Sequence, residues 1–166
     1  RGVRHITGIE ISEADLETIR KNVTDERVTT VVASAIKLPF PNESFDTVVS
    51  WEVIEHIPKD TEGDMFAEVA RVLKKGGAFY LSTPHLSWWA TILDPAWWFF
   101  GHRHYSAFQL KRLARQTLLE TEQVMIRGGW WTVFSVINMY ITKWCFRRPM
   151  FFRADFVRNE NIDVRE

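Results

Sequence analysis

Short apolar runs alternate with segments of helical period through the first two thirds of the chain, and that alternation admits few folds. The run from His5 to Ile11 is β-branched, reaches an acidic residue at Glu10, and is followed by Ser12, which caps a helix over Glu13 to Asn22. Val28 to Ala33 is a second apolar run, closed by Pro39-Phe40-Pro41-Asn42. Phe45 to Trp51 reads as a third strand, continuous enough in apolar character to be buried on both faces. A helix from Met65 to Lys75 places Met65, Val69, Val72 and Leu73 on one stripe, and Gly76-Gly77 reads as its stop. Ala78 to Ser82 is a fourth strand. Strand, helix, strand in this order implies parallel crossover units, hence an α/β sheet. Ser106 then caps an amphipathic helix carrying Phe108, Leu110, Leu113 and Ala114, and Leu119 to Ile126 is expected as a further strand.

The chain of 166 residues has room for one core, and 46% apolar with 25% charged residues is the balance of a globular protein. Its 21 basic and 21 acidic residues cancel, so nothing in the charge points to nucleic acid. The single Cys145 excludes an internal disulfide and a cysteine-based zinc site, fits a reducing, cytoplasmic setting, and reads as a small buried hydrophobe. The first residues show no signal peptide, and a start at Arg1, in what looks like mid-fold, reads as an incomplete fragment.

In a doubly wound sheet, ligands lie outside the carboxyl ends of the strands. Those ends carry Glu10, the Ser34-Ala35 pair and Ser50-Trp51-Glu52. An acidic tip on the first strand is placed to accept both hydroxyl hydrogens of a ribose, although a solvated or helix-capping Glu10 satisfies the same pattern.

Five segments in order resemble the successive motifs of class I S-adenosylmethionine-dependent methyltransferases of the ubiquinone and small-molecule type. They are Ile9 to Ser12, Ala33 to Phe40, Phe45 to Ser50, Glu52 to Ile57 and Arg71 to Gly77, within a match over roughly residues 5 to 120. The resemblance implies a Rossmann-like α/β methyltransferase sheet lacking its first strand and glycine-rich loop. It implies S-adenosylmethionine as cofactor, with Glu10 on the ribose, Ile11 packed on the adenine, Ser34, Ala35 and Ile36 at the adenine edge, and Ser50 and Trp51 toward the methionine part. Ser34 stands where the family usually has Asp, and a hydroxyl lacks the charge that strengthens such a bond. The family's Gly-x-Gly-x-Gly turn brings backbone N–H groups close to the cofactor, and no segment here supplies it; Gly76-Gly77 follows a helix.

Methyl transfer from a sulfonium needs alignment more than acid-base machinery. For a hydroxyl acceptor, His56, expected at a helix start beside the cofactor end, is the candidate base, against a histidine simply held by backbone. Glu52-Val-Ile-Glu55-His56 also resembles a segment of quinone-biosynthesis O-methyltransferases that holds a divalent cation such as magnesium, with Glu52 and Glu55 sharing a helical face. The stretch from Trp88 to Phe100 falls where the family forms its acceptor lid, near residues 85 to 105, and reads either as a surface for an apolar acceptor or bilayer interface, or as an aromatic mini-core. Trp88, Trp89, His102, His104 and Tyr105 are the acceptor-side candidates. Residues 1 to 126 thus form a partial methyltransferase core and 127 to 166 an accessory segment. Within that segment Trp130 to Phe146 is shorter than the roughly 20 residues that cross a bilayer, and lies in the interface with Arg147, Arg148 and Arg153, or packs as a hairpin. Peripheral membrane contact through 88 to 100 and 130 to 153 is expected on the first reading. The activity implied is methyl transfer to a small, aromatic or lipid-like acceptor; the rival is a non-catalytic pseudo-methyltransferase or partner subunit.

Overall fold

The computed structural model describes residues 2–87, 101 and 103–126. The chain divides into two compact units, residues 1–84 with 105–124, and residues 85–104 with 125–166. The first unit runs β1 (Ile6–Glu10), α1 (Glu13–Asn22), β2 (Val28–Val32), β3 (Phe45–Trp51), α2 (Glu62–Val72), β4 (Leu73–Ser82) and α3 (Ala107–Gln116). Both strand pairs are parallel, each joined by the helix between its strands, as the alternation predicts.

Ser12 starts α1 by accepting the Asp15 N–H at 3.3 Å, and Leu16, fully buried, anchors the helix. The amphipathic α2 buries Met65, Phe66, Val69 and Val72. Ile54, Met65, Phe66, Tyr105 and Ala114 form a core cluster; Ala35, Ile36, Phe79, Leu81, Leu110 and Leu113 pack against it, with Phe66 edge-on to Phe79 at 5.6 Å. Ser106 and Gln109 form a reciprocal capping box at the start of α3.

Among the described residues β1 pairs only with β2, and β3 only with β4. A parallel strand directs alternate backbone groups to alternate edges. The Ile6 N–H donates to the Arg27 carbonyl and the Ala33 N–H to the Glu10 carbonyl, so Thr7 and Ile9 turn their backbone groups away from β2. On β3 the Glu52 N–H donates to the Ser82 carbonyl, which turns Thr47, Val49 and Trp51 away from β4.

Four expectations are corrected. β3 is not buried on both faces: Val49 and Trp51 are about half exposed, in keeping with a strand paired on one edge. Gly76 and Gly77 do not cap α2, which ends at Val72 with Leu73 as its C-cap; they lie inside the span of β4, where the pairing with β3 slips register, and Gly76 takes φ +75° there. Residues 119–126 form no strand. Phe108 is exposed rather than on the packed face of α3. The segments Trp88 to Phe100 and Trp130 to Phe146 lie outside the described residues. Among those described, no helix is long and apolar enough to cross a membrane.

A Cβ at Gly77 would stand 2.9 Å from the Lys74 carbonyl oxygen and 3.0 Å from that of Asp46. Both obstacles are backbone. Gly77→Ala is expected to cost about 1 to 2 kcal/mol, read as a lower denaturation midpoint at unchanged slope.

Candidate functional site

The carboxyl ends of the strands bring two groups of side chains together. At the end of β1 the Glu10 carboxylate turns back on its own chain, where Oε1 accepts the Ile11 N–H at 2.7 Å and the Ser12 N–H at 3.4 Å. Its Oε2 accepts no hydrogen bond among the described residues. Ile11 beside it is 73% exposed, an apolar side chain with a free face. The Ala33 N–H ties the end of β2 to the Glu10 carbonyl at 3.0 Å, and the chain then turns so that the Lys37 N–H meets the Ser34 carbonyl. Ser34 Oγ lies 3.5 Å from the Ile36 N–H, at the limit of a hydrogen bond.

The second group follows β3. Glu52 sits in the left-handed region at φ +53°, uncommon outside glycine, with Ser82 Oγ donating to its Oε1 at 2.6 Å. Glu55 is buried, and Thr83 Oγ1 donates to its Oε2 at 3.1 Å. Burial pushes the Glu55 carboxyl up to about 7; the adjacent Glu52 charge pushes the same way, while hydrogen bonds to backbone and Thr83 oppose it. The two groups meet through packing: Ala35 and Ile36 rest on the cluster that contains Ile54, three residues beyond Trp51.

The structure corrects the expected local geometry of His56, Glu52 and Glu55. His56 is not at a helix start; it lies exposed in a turn closed by its own N–H on the Val53 carbonyl, and α2 begins only at Glu62. Glu52 and Glu55 share no helical face, because the left-handed Glu52 breaks the chain before the turn. Glu55 turns into the core while Glu52 and His56 stay exposed, and among the described residues no three metal-ligating side chains converge. The expected divalent cation therefore has no ligand set in Glu52, Glu55 and His56. Ser50 is buried, its hydroxyl without a hydrogen-bond partner among the described residues, rather than open to a cofactor. Tyr105 belongs to the core: its hydroxyl lies 2.9 Å from Glu62 Oε1, to which it donates, and 3.2 Å from the Ile54 carbonyl. His104 falls in the second compact unit, and Trp88, Trp89 and His102 lie outside the described residues.

Residues 1–81 match the model of a methyltransferase domain. Through these residues the chain is similar to the class I methyltransferases. A probable S-adenosylmethionine-dependent methyltransferase of Mycolicibacterium smegmatis is 30% identical over 126 residues, which cover 74% of this chain and 46% of that protein. A demethylmenaquinone methyltransferase of Listeria monocytogenes is 31% identical over 96 residues, 54% of this chain and 40% of that protein. The chain thus spans less than half the length of these relatives. Among solved structures, an S-adenosylmethionine-dependent methyltransferase of Mesorhizobium loti superposes with a TM-score of 0.63 at 20% identity, covering 90% of this chain and 78% of that one. At that identity the likeness speaks for the fold, a Rossmann-like methyltransferase α/β fold.

The methyltransferase motifs had flagged Arg71 only as part of a helix end. The structure shows a role missed from sequence: Arg71 and Glu68 of α2 together hold the Leu38 to Asn42 loop that follows the Ser34 turn. Their i,i+3 spacing was the available signal, and it announced the pair without its partners.

Proposed function

We propose that this methyltransferase domain binds S-adenosylmethionine along the rim formed by Glu10, Ile11, Ser34 to Ile36 and Trp51, and serves methyl transfer to a small apolar acceptor. The observation that carries the reading is the tip of β1: a carboxylate oriented by two backbone N–H groups, its other oxygen accepting no hydrogen bond among the described residues, beside an exposed Ile11. That pair suits a nucleoside, with carboxylate for the ribose hydroxyls and an apolar face for the adenine. Trp51, about half exposed at the end of β3, offers an aromatic face toward the sulfonium side, where a ring attracts positive charge.

The cofactor supplies an activated methyl group, and the protein's share is binding and alignment. If the acceptor presents a hydroxyl, exposed His56 remains the candidate to take its proton. An apolar acceptor is favoured by the likeness to a protein named for demethylmenaquinone and by the tryptophan-rich Trp88 to Phe100 stretch.

Isothermal titration of the full-length protein with S-adenosylhomocysteine tests the reading. Binding in the micromolar range is expected, and it should weaken in Trp51→Ala. No detectable heat or competition at millimolar ligand would end it.

A further inference from the structure

Arg71 uses every N–H it has. Nε and one Nη2 hydrogen go to the two Glu68 oxygens at 2.7 and 2.8 Å; Nη1 donates to the Phe40 carbonyl at 2.7 Å and Asn42 Oδ1 at 3.0 Å, and Nη2 also to the Leu38 carbonyl at 2.9 Å. Glu68 Oε2 in turn accepts the Leu38 N–H at 2.7 Å. Both side chains are partly buried, and the guanidinium bonds are charge-assisted. The end of α2 adds two backbone bonds, from the Glu43 N–H to the Arg71 carbonyl and from the Ser44 N–H to the Val72 carbonyl.

The clamp begins at Leu38, one residue beyond the turn closed between Ser34 and Lys37. On its other side that turn is tied to β1 through the Ala33 N–H on the Glu10 carbonyl. Four residues thus stand between two anchors, one on the strand that carries the ribose candidate and one on α2. Pro39 and Pro41 stiffen the clamped segment but have no N–H to contribute to it; apart from the Leu38 N–H on Glu68, its bonds to α2 side chains come through carbonyl oxygens, which a five-donor guanidinium can collect.

We propose that Arg71, aligned by Glu68, is a positioning residue for cofactor binding: by fixing Leu38 to Asn42 it sets the Ser34 to Ile36 turn against which the adenine rests. This rests on the cofactor reading above. Arg71 touches no ligand itself; its effect passes through the turn. A lysine carries the charge but three donors on a single nitrogen, and cannot reach this set of acceptors.

The test is titration of the full-length protein and its variants with S-adenosylhomocysteine and with adenosine, well below the melting temperature, alongside amide hydrogen exchange over residues 34–44. Arg71→Ala should weaken both ligands by a similar factor, about tenfold, with faster exchange across the loop; Arg71→Lys should recover only part of it. Glu68→Gln, which leaves Arg71 its loop acceptors, should show a smaller loss and decides the matter if Arg71→Ala does not fold. Unchanged affinity despite faster loop exchange overturns the proposal, as does a loss for S-adenosylhomocysteine that adenosine does not share. Failure of the unsubstituted protein to bind either ligand overturns the cofactor reading itself, and this inference with it.

Discussion

Replacing Glu10 by Ala should weaken S-adenosylhomocysteine binding by about ten- to a hundredfold, the largest loss expected from any one substitution on the rim. Hydrogen bonds to a charged acceptor contribute about 1.5 to 3 kcal/mol, and each 1.4 kcal/mol is a factor of ten in affinity. The carboxylate is already aimed by the Ile11 and Ser12 N–H groups, so little ordering cost offsets its bonds to a ribose. Glu10→Gln keeps one oxygen acceptor and should fall between Ala and the native residue. Because Glu10 also meets the Ser12 N–H at the start of α1, a melting curve must accompany the titration. A normal dissociation constant for Glu10→Ala would remove the ribose assignment, whatever the melting curve shows.

Glu55 gives the second large effect, and its sign is opposite to that of an ordinary buried ion pair. Its folded-state carboxyl titrates at about 7, above the usual carboxylate range, so the folded chain holds this proton more tightly than the unfolded chain does. The stabilisation is complete below about pH 4.5 and is lost as pH rises through about 7. Stability should therefore fall by about 2 to 3 kcal/mol between pH 4.5 and 8, and Glu55→Gln, which has no proton to lose, should abolish most of that slope and be the more stable form at pH 8. Glu68 acts in another window: the Arg71 guanidinium holds its carboxyl below the usual range, so its contribution is lost only as pH falls through that lowered value. Denaturation midpoints of both forms at pH 5 and pH 8 decide it, and parallel pH dependences would show that Glu55 is ionised throughout.

Local chemistry made much of the frame legible. Ser12 announces α1, and the span Phe45–Trp51 of β3 follows from β-branched and aromatic residues. The residues at the carboxyl ends of β1 and β3, Glu10 and Trp51, were legible too, because each closes its apolar run. Signals with two physical meanings misled. A Gly-Gly pair after a helical stripe fits a helix stop and a bulged strand equally, and only pairing with β3 distinguishes them. The Glu52 to His56 spacing fits a helix until a left-handed Glu52 intervenes, a conformation that no side chain there advertises. Tyr105 could not be assigned to the core because Ile54 and Glu62 lie 51 and 43 residues away in the chain. The loop partners of Arg71, 29 to 33 residues upstream, were hidden for the same reason.

The outward backbone of Thr7 and Ile9 on one pair of strands, and of Thr47 and Val49 on the other, has a practical meaning for anyone purifying these residues in isolation. Where no other segment covers them, such edges are templates for any extended peptide, a neighbouring molecule included, and Thr7, Ile9, Thr47 and Val49 offer no charge to repel it. Solubility will fall with concentration before the fold itself fails, and the first sign will be intermolecular sheet rather than unfolding.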